Sequence, residues 1–365
     1  MFVYPENYQK AKCEFEDKIK ELKKSNYTVF TKSHELSNTY SINKYIIKSI
    51  KPAKNRLILS AGLHGIEGYV GHAAIMTFLT YTLHQLREDT EVIIYHVLNP
   101  FGMDNFRRTN AQNVDLNRNF TNNDFSSTND NYQKLHDFFT PKQYLGYKTA
   151  NLKFYSSVVN KIRKFGVTTL KEATLLGQNT LQQGLYFSGV KTQPETNYLF
   201  QEMDLNITNI QKVIWVDLHS GYGPRYQMSI VNSRYEKSQT TQLKDSINYP
   251  LILGLEENDF YDIDGDMVEK IYQRHKDKKS STLLYATCFE FGTLGETTKN
   301  NIESLKAMIF ENSSFFEKQT TKFKQYSKEL ICEQFMPSEA EWRQKAESDF
   351  LIAITSILEF FHFSR

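Results

Sequence analysis

Short apolar runs of strand length punctuate the chain at 57–59, 92–98, 213–218, 228–231, 251–255 and Leu283–Phe291, with amphipathic stretches between several of them. Such runs read as strands buried on both faces, the signature of an α/β fold. Segments 27–30 and 45–50, ahead of Pro52, read as antiparallel additions to the sheet. Charges recur at helical spacing over 7–24 with Phe15, Ile19 and Leu22 on one face, which predicts a peripheral helix. Val70, Ala74 and Phe78 interleave with Ile75, Leu79, Leu83 and Leu86 on a helix apolar over a broad face, where His72 and His84 are packing or surface residues. Helical patterns at 147–165 and 168–176 are divided by Gly166, and Phe350, Ile354, Ile357 and Phe361 mark an amphipathic C-terminal helix. The polar, asparagine-rich stretch 121–131 reads as a mobile loop. It opens a helical insertion at about 121–190 in what is expected to be one domain over 1–365, and this insertion, with the loop 184–189, is placed to wall a cleft.

The run 57–59 gives way to small residues and then to Gly62, Gly65, Gly68 and Gly71, the pattern of a buried strand ending in a tight turn that opens a helix. His64 and Glu67 stand inside that turn. Three residues apart at a strand's carboxyl end, an imidazole and a carboxylate can address one point, and zinc accepts that pair. The run 213–218 ends in the same manner and delivers His219. His64, Glu67 and His219 make the three protein ligands of a catalytic zinc site. A phosphate cradle, which also uses strand, glycine turn and helix, fits poorly: the glycines never form Gly-x-Gly and no Gly-Lys-Ser/Thr follows.

Composition narrows the partners. Lysine and arginine total 44 against 42 acidic residues and are scattered, so no nucleic-acid partner is implied. Cys13, Cys288 and Cys332 lack metal-type spacing, as expected in a reducing compartment. Residues 1–12 lack the apolar core of a signal peptide, and no run nears the roughly 18 apolar residues of a membrane span, so a cytoplasmic protein without a membrane partner is expected.

A second informative stretch follows 92–98. In its arginine- and asparagine-rich loop Arg118, between Asn117 and Asn119, has the planar fork that holds a carboxylate, and Arg107 or Arg108 can stabilise an oxyanion. In the last strand Cys288 and Glu290 project to one face. A carboxylate inside an apolar run needs a cation partner or work beside a metal, while Cys288 reads as a small core residue. Asp262, Asp264 and Asp266 alternate without the glycine and glutamate of a calcium-binding hand, which leaves a solvated turn.

Five segments in order, His-Gly-Ile-Glu-Gly at 64–68, Asn-Pro-Phe-Gly at 99–102, Asn-Val-Asp-Leu-Asn-Arg-Asn-Phe at 113–120, Asp-Leu-His-Ser-Gly at 217–221 and Glu-Phe-Gly-Thr at 290–293, resemble those of the zinc carboxypeptidase (carboxypeptidase A-like) superfamily. Segments 60–73, 96–120 and 184–189 resemble more closely its branch called domain of unknown function 2817. The resemblance runs from about Tyr27 to the C-terminal helix. It implies a mixed eight-stranded sheet between helices and one zinc per chain on His64, Glu67 and His219. Asn117 and Arg118 then hold the substrate's carboxylate, and Glu290 is the general base. Arg107 best matches the oxyanion-stabilising arginine, with Arg108 as its adjacent alternative. The tyrosine that closes over substrate in carboxypeptidases has no clear counterpart; Tyr222, Tyr226 and Tyr261 are candidates, and Tyr222 is taken as substrate-binding.

The implied activity is metal-assisted hydrolysis of an amide bond next to a free carboxylate, as in a carboxypeptidase acting on a peptide. The superfamily also contains deacylases of N-acyl amino acids, resembling succinylglutamate desuccinylase and aspartoacylase, and the sequence does not choose between them. A zinc-bearing binding protein without catalysis is the third reading; an intact Glu290 argues against it.

Overall fold

The computed structural model describes residues 1–25, 27–121, 125, 128–247, 249–254 and 265–365. Among these, eight strands form one mixed sheet: β1 (Val29–Glu35), β2 (Ser41–Ile47), β3 (Asn55–Ala61), β4 (Thr90–Tyr95), β5 (Lys212–Ser220), β6 (Met228–Asn232), β7 (Ile252–Gly254) and β8 (Leu283–Phe291). Their spatial order is β1-β2-β4-β3-β5-β8-β6-β7. The central β4, β3, β5 and β8 are parallel, whereas β1, β2 and β4 pair antiparallel and β6 runs antiparallel to β8. The expected mixed eight-stranded α/β sandwich is therefore what the chain builds.

Both faces of the sheet are covered, which is why its central strands are buried almost without interruption. On one face Ile214 and Val216 of β5 pack with Phe15, Phe78, Phe350 and Ile354 from helices Tyr8–Lys24, Gly68–Tyr81 and Ala340–Phe360. On the other, Trp215 meets Leu199, Met203 and Ile271 from helices Pro194–Asn206 and Met267–Asp277. The change of side at each residue of β5 is the two-residue period of a strand. A further apolar cluster joins helices Tyr147–Leu175, Thr298–Phe316 and Thr321–Phe335 through Phe154, Phe310 and Phe323. The 147–175 helix is broken at Gly166, whose φ of 84° only glycine adopts freely. Among the described residues no helix is long and apolar enough to cross a membrane.

The edge strands differ from expectation. β1 starts two residues later than 27–30 and runs on to Glu35, because it lies at the sheet edge with only Val29 buried and carries no alternation to read. β2 begins at Ser41, ahead of the apolar stretch, and Ile50 is exposed beyond its end. Of the expected mobile loop at 121–131, residues 122–124 and 126–127 lie outside the described residues, and its end is not loop: Asn129 caps a short helix, Asp130–Lys134. Parallel register is what assembles the site: Ala61 pairs with Leu218 and His219 with Glu290, so the carboxyl ends of β3, β5 and β8 lie side by side.

Candidate metal centre

β3 ends in a single turn of 3-10 helix, Gly65–Glu67, before the helix Gly68–Tyr81. The turn is tight because Gly65 lies flat on another backbone: a Cβ there would stand 2.3 Å from the Cα of Gly102. The Gly65 and Ile66 N–H groups donate to the carbonyls of Arg108 and Arg107, at 3.1 and 2.8 Å. That pairing ties the arginine loop to the turn that presents His64 and Glu67.

Glu67 is fully buried between two imidazoles, with Oε1 at 2.9 Å from His64 Nδ1 and Oε2 at 2.9 Å from His219 Nδ1. One ligand atom from each of the three residues can be chosen so that all lie within 4.8 Å of one another. Each ring's far nitrogen meets a carboxylate: His64 Nε2 lies 3.0 Å from Asp115 Oδ1, and His219 Nε2 lies 2.6 Å from Asp217 Oδ2. An ionised carboxylate only accepts, so each Nε2 holds a proton against its outer carboxylate, and Nδ1 is the atom each ring turns toward Glu67 and the centre. Ser60 in turn donates to Asp217 at 2.6 Å, and Trp215 Nε1 donates to Ser60 at 3.0 Å.

The field at this point favours positive charge. Burial alone would raise the Glu67 carboxyl, but His64 and His219 together bring it well below the usual carboxylate range. Asp115 is likewise held down, against burial, by Arg108 and His64. Burial would lower His219, yet Asp217 and Glu67 hold it well above the usual imidazole range. Two imidazoles and a carboxylate, each braced from outside by a further carboxylate or a backbone N–H, have the donor set of a divalent metal site.

Glu290 stands next to His219 at the end of β8 and accepts a hydrogen bond from the Tyr222 N–H at 3.0 Å. Burial, and after it the charge of Glu67, push its carboxyl up to about 8. His64, Glu67, His219, Glu290, Arg108 and Arg118 share one cleft of about 260 Å³. The adjacent arginines part company. Arg108 donates to Asp115 at 3.0 Å and reaches Glu67 at 3.4 Å. Arg107, the better sequence match to an oxyanion arginine, is turned away from the cleft: it is buried, ion-paired to Glu311 at 2.9 Å and stacked on Phe315.

Arg118 is buried and lines the cleft together with Asn117. The Asn117 side chain is clamped by the start of helix Met267–Asp277, donating to Asp266 Oδ2 and accepting from the Met267 N–H, both at 2.9 Å. Asp266 is thus no solvated turn residue; it caps that helix and borders the cleft, while Asp262 and Asp264 lie outside the described residues. Cys288, expected as core, also lines the cleft. Of the candidate tyrosines, Tyr222 is half-exposed on the cleft wall, Tyr226 donates to Glu339 and does not line the cleft, and Tyr261 lies outside the described residues. The wall expected from the insertion is present in Thr174 and Tyr186.

Sequence reasoning missed Asp115 and Asp217 as braces, although both stand inside quoted motifs. Asp217 had a usable signal, a carboxylate closing an otherwise apolar strand. Tyr186 had none beyond lying between two glycines.

No curated protein gives a significant sequence match. Among solved structures, bovine thrombin-activatable fibrinolysis inhibitor in complex with tick carboxypeptidase inhibitor is 14% identical and is covered over 97% of its chain by 98% of this one, with a TM-score of 0.55. A second structure of thrombin-activatable fibrinolysis inhibitor matches at the same identity and TM-score, over 98% of this chain and 74% of its own. The carboxypeptidase A of Helicoverpa armigera aligns more loosely, at 14% identity over 96% and 75% of the two chains and a TM-score of 0.47. The first two likenesses show the fold. The family model described as protein of unknown function, DUF2817, matches residues 4–349, and the chain belongs to that family, within the carboxypeptidase-like fold.

Proposed function

We propose that the protein is a zinc-dependent hydrolase of amide bonds, acting as a carboxypeptidase does on a substrate with a free carboxylate beside the scissile bond. The observation that carries this reading is the meeting in one cleft of the His64, Glu67 and His219 donors, the Glu290 carboxylate and two guanidiniums. His64, Glu67 and His219 would hold the ion, whose Lewis acidity acidifies water and polarises a carbonyl.

The remaining work falls to the chain's own groups. Glu290, oriented by the Tyr222 N–H, takes a proton from the attacking water and returns it to the leaving nitrogen. Burial and the charge of Glu67 raise its carboxyl, which favours its holding the proton that it hands on. Arg108, steadied by Asp115, donates to the oxygen that gains negative charge. Arg118 holds the substrate's carboxylate, with Asn117 fixing the loop that carries it and Tyr222 closing the outer side.

The test is a panel of short peptides with free C-termini and a panel of N-acyl amino acids, offered to the zinc-loaded wild type and to Glu290→Gln. Peptide cleavage that falls about 1,000-fold in Glu290→Gln, with zinc retained, is the expected result. Cleavage confined to N-acyl amino acids replaces the carboxypeptidase reading by a deacylase, and no cleavage in either panel contradicts the hydrolase.

A further inference from the structure

Tyr186 sits in the insertion with its main chain in the left-handed region, at φ 54°. A bulky side chain rarely adopts that conformation unless its surroundings impose it. Here they do. The Gln178 N–H donates to the Tyr186 carbonyl at 3.0 Å, and the Gln178 side chain donates to the carbonyls of Leu181 and Leu185, at 2.7 and 3.2 Å. On the other side the Asp115 N–H donates to the Phe187 carbonyl at 2.8 Å. The loop is therefore fastened to the residue that braces both His64 and Arg108.

The outcome of this bracing is a phenol in the cleft alongside Arg108 and Arg118. Its hydroxyl is not among the buried atoms left without a partner, and it opens into the cleft. A strained, tethered tyrosine whose polar end opens into the cleft beside two cations is placed to meet whatever enters there. The same Asp115 that holds the neighbouring Phe187 carbonyl also holds the Arg108 guanidinium, which ties this loop to the Arg108 side of the cleft. We propose that Tyr186 is a second hydrogen-bond donor, beside Arg108, to the oxygen that becomes anionic during hydrolysis. This rests on the hydrolase reading and deepens it. Burial raises the phenol's pKa, and the pull of Arg108 and Arg118 does not reverse that, so the group keeps its proton and can donate. A neutral donor strengthens the oxyanion site without adding positive charge next to the metal centre.

The test compares wild type and Tyr186→Phe, which keeps the ring and removes only the hydroxyl. Calorimetry on the zinc-loaded proteins measures binding of two probes: a dipeptide phosphonate, whose tetrahedral oxygens mimic the reacting centre, and the matching reduced-amide isostere, which keeps the carboxylate but has no oxygen to become anionic. The expected result is a loss of about 100-fold for the phosphonate in Tyr186→Phe and no significant change for the isostere. Equal losses for both probes place the phenol on the carboxylate and overturn the inference. Two unchanged affinities overturn it while leaving the hydrolase reading intact. A wild type that binds neither probe overturns both.

Discussion

His64 and Asp115 are 51 positions apart, yet the ring's Nε2 lies 3.0 Å from the Asp115 carboxylate, and Arg108 Nε donates to the other oxygen of the same carboxylate at 3.0 Å. One buried acid thereby sets a histidine's proton on its outer nitrogen and holds the neighbouring guanidinium in the cleft. Asp217 does the first of these tasks for His219.

If the braces tune the centre, Asp217→Asn should weaken zinc binding about 10- to 100-fold while leaving the fold intact, since Ser60 can still donate to the amide oxygen and Trp215 donates to Ser60. Competition with a chelator of known affinity measures this. Unchanged affinity means that the Asp217 contact does not tune the metal.

Arg107 and Arg108 are adjacent, but their replacements should fail differently. Arg107→Met strands Glu311, whose side chain is only 12% exposed, and should lower stability by about 3 kcal/mol in denaturant titration. Arg108→Lys keeps a charge but loses the fork held by Asp115, so turnover should drop about 100-fold with little change in melting temperature. The reverse pattern would return Arg107 to the oxyanion role.

His72 and His96 touch in the interior, Nδ1 to Nε2 at 2.8 Å, beneath Phe15. Burial lowers His72 to about 4 and His96 well below the imidazole range. The unfolded chain takes up protons on both below about pH 6.5, while the folded chain does not, so their contribution to stability is full above that pH and is lost as pH falls toward 4. His72 alone accounts for about 3 kcal/mol over that span. Denaturation at pH 7.5 and 4.5 should show a smaller acid loss in His72→Gln than in wild type, and equal losses would assign the acid sensitivity to other groups.

Gly65→Ala should dislodge the centre, because the new methyl meets the Gly102 backbone and no side chain can give way. Lower melting temperature and weakened zinc binding are expected together. Gly146→Ala, where a methyl meets nothing within 4 Å, is the control and should leave both unchanged.

What could be read from the sequence follows from where the signal comes from. The glycines around His64 and the apolar run before His219 mark strand ends, so the meeting of His64, Glu67 and His219 was visible as local pattern, and β8 was visible end to end because it is apolar nearly throughout. β1 was hard to place because an edge strand has almost no buried face. Helices Pro194–Asn206, Thr298–Phe316 and Thr321–Phe335 went unread, although Pro at the first helical position of one and threonine caps on the other two announce them. The choice between Arg107 and Arg108 depends on which of two neighbouring side chains faces Glu311 and which faces Asp115, and that is set by packing across distant segments. Tyr186 is invisible for the same reason.

Elemental analysis of purified wild type beside His64→Ala tests the central claim most directly. The account predicts about one zinc per wild-type chain and loss of that zinc from the variant. Wild-type protein that carries no metal even after zinc is supplied would contradict it.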